Sequence, residues 1–187
     1  MKSRDRLRDL LAQRSVRLGD FTLSSGAKSS YYIDARLTTM SAEGQRLVGE
    51  VCLGAITDAG WTPSHIGGLT LGADPITYAI AHHSFGTESV LDGFTVRKAA
   101  KGNGTGRQIE GGLPKDADVI VIEDSVTSGG SALQAAQVLH DYGVNILGVL
   151  ALVDREEGGR ERIEDAGYKL VSVYRAKELV DVAAAAT

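Results

Sequence analysis

The chain has 187 residues, enough for one domain with a sizeable core. It is 43% hydrophobic with a formal net charge of −4, which excludes a disordered chain and a nucleic-acid binder working through a broad basic surface. One cysteine, Cys52, excludes an internal disulfide framework and suits a reducing compartment. The charged start, MKSRDRLRDL, has no apolar run of signal-peptide length, and no stretch approaches the ~20 apolar residues of a membrane span. The expectation is a soluble cytoplasmic protein that uses neither nucleic acid nor membrane.

Residues 3–13 predict a short amphipathic helix with Leu7, Leu10 and Leu11 on one side. FTLSSGAKSSYYIDAR, 21–36, reads as two extended pieces joined by a Ser/Gly turn. From Ser41 to Ala59 the apolar residues recur at helical spacing, with Ser41 as N-cap and Gly60 as stop. A strand over 65–69 is followed by a helix over 74–84, whose Pro75 is tolerated in a first turn. A strand over 90–96 leads into a long loop, 97–112. Then come a strand over 118–122, a helix over about 132–142 stopped by Gly143, and a strand over 144–154. A turn and short helix precede a last strand, YKLVSVYR, and the tail VAAAAT is expected to fray. Strands alternating with helices imply an α/β chain with a mainly parallel sheet covered on both faces. In such sheets, ligands bind outside the carboxyl ends of the strands.

The stretch VIVIEDSVTSGGSAL, 119–133, carries the chemistry. A buried strand runs into Glu123 and Asp124 and then into a Thr/Ser/Gly loop that opens a helix. Backbone N–H groups of a Gly-rich turn and of a helix N-terminus cradle anions, and Thr127, Ser128 and Ser131 add hydroxyl donors. No Gly-Lys-Ser/Thr follows, so this is not a Walker loop. Two carboxylates suit the acceptance of hydrogen bonds from a ribose diol, with Mg²⁺ bridging nearby oxygens. Adjacent acids after a strand commonly do no more than cap a helix or face water. The whole string at a strand–loop–helix junction points to a sugar-phosphate site. The four histidines lack metal-ligand spacing with any cysteine partner, and Cys52 falls on the apolar face of its helix.

This string resembles the phosphoribosyl-pyrophosphate (PRPP) motif of type I phosphoribosyltransferases. The wider chain is similar to the orotate phosphoribosyltransferase family in four further segments, in family order: FTLSSGAKSSYYIDAR, GGLTLGADPI, RKAAKGNGTGRQIEG and VDREEGG. The resemblance implies a single domain over 1–187. It would have a mostly parallel five-stranded core sheet flanked by helices, with a small hood from about 1–40 plus C-terminal elements. It also implies transfer of the phosphoribosyl group of PRPP to orotate, with Mg²⁺ as cofactor and Asp124 as its ligand, directly or through water or PRPP.

Residue by residue, the resemblance gives Glu123 and Asp124 the ribose diol. Thr127, Ser128, Gly129, Gly130 and Ser131 would take the 5′-phosphate, and Ser125 and Val126 would also contact PRPP. Leu71, Gly72, Ala73 and Asp74 would face the pyrophosphate, with a non-proline cis peptide in that loop. Arg155 would read the orotate carboxylate, since a guanidinium fork binds a carboxylate bidentately. The competing reading pairs Arg155 with Asp154 or Glu156 on the surface. Ser24, Lys28, Tyr31, Tyr32 and Thr127 would line the base, with one of the two tyrosines serving hood packing instead. Loop 97–111, with Arg97, Lys98, Lys101 and Asn103, would close over the pyrophosphate of a neighbouring subunit in a homodimer. Lys101 and Asp124 are the implied catalytic residues. Two departures stand out: Asn103 where the family usually has histidine, and Ser24 where it often has lysine. A sibling transferase for another base and a PRPP-sensing regulator without turnover stay open as alternatives.

Overall fold

The computed structural model describes residues 2–22, 26, 28–99 and 107–186. Among these, α1 (Ser3–Ser15) leads into an antiparallel hairpin, β1 (Val16–Thr22) and β2 (Lys28–Ile33), and a short helix, α2 (Arg36–Thr39). The helix α3 (Ala42–Asp58) follows, then β3 (His65–Leu69), α4 (Ala73–Ser84), β4 (Asp92–Val96) and β5 (Ile109–Glu110). The second half comprises β6 (Asp118–Val126), α5 (Gly130–Tyr142), β7 (Asn145–Asp154), α6 (Gly159–Asp165), β8 (Leu170–Arg175) and α7 (Ala176–Ala185).

The main sheet has the order β5-β4-β3-β6-β7-β8. Five strands, β4 to β8 across the sheet, are parallel, and the two-residue β5 adds an antiparallel edge to β4. That edge lies in a stretch expected to be loop. Its pairing of Ile109 with Val96 and of Glu110 with Thr95 arises from the long-range return of the chain, which no local pattern announces.

Alternation along β6 builds both core layers. Ile120 and Ile122 face one layer with Leu47 and Ile56 of α3 and Ile76 and Ile80 of α4. Val119 and Val121 face the other, with Ala132, Ala135 and Ala136 of α5 and Ile163 of α6. Side chains two apart on a strand share a face, so a strand buried on both sides must be apolar at every step. The small alanines of α5 let that helix lie close to the sheet. Ser41 caps α3, its Oγ accepting from Gly44 N at 3.1 Å, and Gly60 and Gly143 take positive φ at the helix ends.

The hairpin, α1 and α2 gather at one side with α7, which packs on α1 and β1. The hood is stapled to the sheet through Arg4 and Tyr174. Tyr174 Oη donates to Arg4 O at 2.6 Å, and Arg4 Nη2 donates to Val173 O at 2.9 Å. The expectation of a fraying tail is corrected here. Residues 176–185 are helical because alanine is the best helix former, Glu178 Oε1 accepts from Arg175 N at 3.1 Å, and Leu179 is fully buried.

Candidate active site

Strand β6 does not stop at residue 122 but continues to Val126. Glu123 opposes Ala151 and Ser125 opposes Val153 in the ladder to β7, so backbone pairing holds the acids in strand geometry. Beyond Val126, Thr127–Gly129 turn into α5, and Gly129 is the N-cap with φ +73°. Here glycine is required twice over. The conformation is left-handed, and a Cβ would lie 2.9 Å from Gly159 O. The turn lines a cavity of about 420 Å³ with Glu123, Ser125, Thr127, Ser128 and Ser131. The N–H groups of the first turn of α5 have no partner within the helix, which gives this cavity anion-binding character.

The acids are electrically strained. Burial, then the neighbouring Asp124 charge, pushes Glu123 up to about 9. Burial also raises Asp124, against the pull of Glu123, the Ser125 N–H and, more weakly, Arg36. Ser125 N donates to Asp124 Oδ1 at 2.8 Å. Glu123 Oε2 and Ser125 Oγ are buried with no hydrogen-bond partner among the described residues. Buried polar atoms of this kind are uncommon and call for a ligand or ion. The buried pair therefore keeps a proton to higher pH than free carboxylates do. The Glu123 carboxyl is raised from 4.5 to about 9 by the fold, so the folded state loses stability as pH rises through that window. Glu123→Gln, a neutral isostere, is expected to raise the Tm at about pH 8.5 and to flatten its fall from about pH 6. Parallel Tm profiles for the two proteins would contradict this.

Opposite the acids lies the turn before α4. The Thr70–Leu71 peptide is cis, in the segment where one was expected. Gly72 faces the acidic pair so closely that a Cβ there would lie 2.6 Å from Asp124 Cγ and Oδ1. Asp74 is spoken for by hydroxyls: Thr70 Oγ1 donates to Oδ2 at 2.6 Å and Thr95 Oγ1 to Oδ1 at 3.0 Å. Its carboxylate thus ties the turn to β4, while the N–H groups at the start of α4 remain without helical acceptors.

Arg155 follows β7, and its N–H donates to Val126 O at 2.9 Å. The surface pairing with Asp154 or Glu156 does not occur. Arg155 is only 8% exposed. Its Nε lies 2.9 Å from Glu157 Oε1 without hydrogen-bond alignment, its Nη2 is buried with no partner among the described residues, and its guanidinium sits 5.3 Å over the Tyr31 ring. Asp154 pairs instead with Arg160, and Glu156 with Arg175.

The tyrosines divide their roles: Tyr31 faces Arg155, and Tyr32 packs on Phe21 of the hairpin at 5.8 Å. Lys28 is exposed, its Nζ 3.2 Å from Thr22 Oγ1, and no described contact joins it to Arg155. Arg97 lies 3.7 Å from Glu110, and Lys98 O accepts from Gln134 of α5 at 3.0 Å. Ser24, Lys101 and Asn103 lie outside the described residues. One residue was not anticipated. Arg36, held by Asp34 at 2.8 Å, projects its charge toward Asp124. It sits in the IDAR end of the hood segment, so its place beside the tyrosines was the available signal.

For Mg²⁺ the donor set fits. Among the described residues no cluster of three or more potential ligands exists. Mg²⁺ takes one or two carboxylates and completes its shell with water and substrate phosphates, so Asp124 with the unpaired Glu123 Oε2 would suffice.

A parallel sheet whose central strand ends in an acidic pair and a phosphate cradle defines a type I phosphoribosyltransferase, and a solved adenine phosphoribosyltransferase from Leishmania tarentolae shares the fold (TM-score 0.68, 15% identity). Closer relatives narrow the class. The chain is 45% identical to an orotate phosphoribosyltransferase of Aquifex aeolicus over 96% of this chain and 99% of the relative. It is 39% identical to that of Rhodopirellula baltica over 86% of each. The solved orotate phosphoribosyltransferase of Mycobacterium tuberculosis in complex with PRPP superposes with a TM-score of 0.80 at 35% identity, covering 95% of this chain and 99% of that one. No protein-family model matches the chain. The chain belongs to the orotate phosphoribosyltransferase family.

Proposed function

We propose that the protein transfers the phosphoribosyl group of PRPP to orotate, releasing pyrophosphate and orotidine 5′-monophosphate in pyrimidine biosynthesis. The observation that carries this reading is Arg155, a buried guanidinium whose Nη2 has no partner among the described residues, at the end of β7 beside the β6 end that carries the acidic pair and the phosphate cradle. A buried cation whose donors lack hydrogen-bond partners is costly, and a planar carboxylate is the ligand that best relieves it.

Glu123 and Asp124 grip the ribose diol, Thr127–Ser131 hold the 5′-phosphate, and the Gly72 turn faces the pyrophosphate. Tyr31 and Arg155 present the base nitrogen to C1, with Lys28 and Tyr32 at the hood side. Bound Mg²⁺ would supply positive charge beside the leaving pyrophosphate. Charge also develops there against Lys98 and Lys101, which stabilise it electrostatically and need no proton transfer. We further propose a cytoplasmic homodimer in which loop 97–111 serves the neighbouring site. Asn103 in that loop can donate a hydrogen bond but carries no charge, so Lys101 bears most of the load.

The test is pyrophosphate release from PRPP and Mg²⁺ with and without orotate. Orotate-dependent release is expected. Release that ignores orotate, or that follows a purine instead, would overturn the reading. Mixing Lys101→Ala with Arg155→Ala subunits is expected to restore part of the activity that each lacks alone. Confirmed mixed dimers with no recovery would show self-contained sites.

A further inference from the structure

Arg160 is the most heavily engaged cation in the described chain, yet no step above uses it. Its Nε and Nη2 both lie 2.9 Å from Asp154 Oδ2. Nη2 also donates to Ser172 Oγ at 2.9 Å, and Nη1 to Leu170 O at 3.0 Å. Asp154 is 2% exposed, and its second oxygen, Oδ1, accepts from Glu156 N at 2.9 Å. Glu156 has φ +57°, a conformation that a non-glycine residue keeps only when its surroundings hold it. Arg155 is the residue between these two anchors, so the Asp154–Glu156 turn sets where its guanidinium goes.

We infer that Arg160 is a positioning residue for base recognition: gripping Asp154 and strand β8 together, it keeps the 154–156 turn in the shape that holds Arg155 against Tyr31. This rests on the reading of Arg155 as the carboxylate receptor. Shape alone is at stake, because the guanidinium of Arg160 bonds Asp154, Ser172 and Leu170 at once, a set that a point charge cannot reproduce. The same helix, α6, touches the phosphate loop through Arg162 Nη1 and Ser128 O at 3.2 Å. A general loosening of α6 would therefore weaken both substrates, whereas loss of the Arg160 grip alone weakens the base.

The experiment compares Arg160→Met and Arg160→Lys, each in the native and in the Arg155→Ala background, by KM for orotate and KM for PRPP. Arg160→Met is expected to raise the orotate KM about tenfold, with the PRPP KM changed by less than about twofold. In the Arg155→Ala background the same change should add less than about twofold, because there is no guanidinium left to position. Arg160→Lys keeps a cation beside Asp154, so it decides the question if the methionine variant fails to fold; an orotate KM raised about threefold at an unchanged Tm is expected. Parallel rises in both KM values, or an undiminished effect without Arg155, would overturn the inference. Silence of both Arg160 variants while Arg155→Ala raises the orotate KM would overturn it alone. An Arg155→Ala enzyme with unchanged orotate KM would instead remove the reading on which it stands.

Discussion

Arg155→Ala is expected to lower kcat/KM for orotate by about 10²- to 10³-fold while leaving PRPP affinity within about twofold, since removing one partner of a buried charged pair costs roughly 3–5 kcal/mol. Three features make this the largest single effect. The guanidinium is buried, its Nη2 has no partner among the described residues, and Tyr31 screens one face from water. A carboxylate arriving there meets a donor that has already lost its hydration, so the interaction is strong and its loss is not made good by solvent. The fold should tolerate the change, because the deletion removes a buried charge and leaves Glu157, its only ion-pair partner among the described residues, partly exposed to solvent. Arg155→Lys should rescue little, since an ammonium offers no fork. Initial rates against orotate, PRPP binding by calorimetry and thermal melting check the three parts. An alanine variant with native kcat/KM would mean that the base is held elsewhere.

Gly72→Ala is expected to follow closely, with kcat/KM for PRPP lowered about 10²-fold, the scale of a displacement near 1 Å at a reacting centre. Gly72 has φ −65°, so alanine meets no backbone penalty there. The obstacle is contact: the new methyl would lie 2.6 Å from Asp124 Cγ and Oδ1 and 2.7 Å from Oδ2. The Asp124 carboxylate is held by the Ser125 N–H at 2.8 Å, and the turn is held by Asp74 through Thr70 and Thr95. One of them must move, and either movement parts the acidic pair from the turn that faces the pyrophosphate. Gly54→Ala is the control. It sits inside α3, an added Cβ has nothing within 4 Å, and it should stabilise by about 0.5–1 kcal/mol without touching the kinetics. Native PRPP kinetics in Gly72→Ala would show that the turn and the acids act independently.

Much of this molecule can be read from residue order. Apolar runs that alternate with helical periods define a parallel sheet, and Ser41, Gly60 and Gly143 mark helix ends because caps depend on local backbone chemistry. The acidic pair, the Thr/Ser/Gly turn and a lone arginine after the next strand announce the kinds of group that a sugar phosphate and a carboxylate require. The continuation of β6 past Glu123 could not be read, since the ladder to β7 supplies its hydrogen bonds. Helix α7 could not be read either, because its burial depends on a hood built from the other end of the chain.

Three properties of the site arise only on folding: the raised proton affinity of the buried acids, the packing that dries Arg155 and an approach of Gly72 to Asp124 too close for a Cβ. Residue order specifies which charges and hydroxyls exist and which stretches pair locally. Desolvation and distance between segments fifty or more residues apart depend on how the layers pack, and those two quantities turn a set of suitable side chains into a poised site.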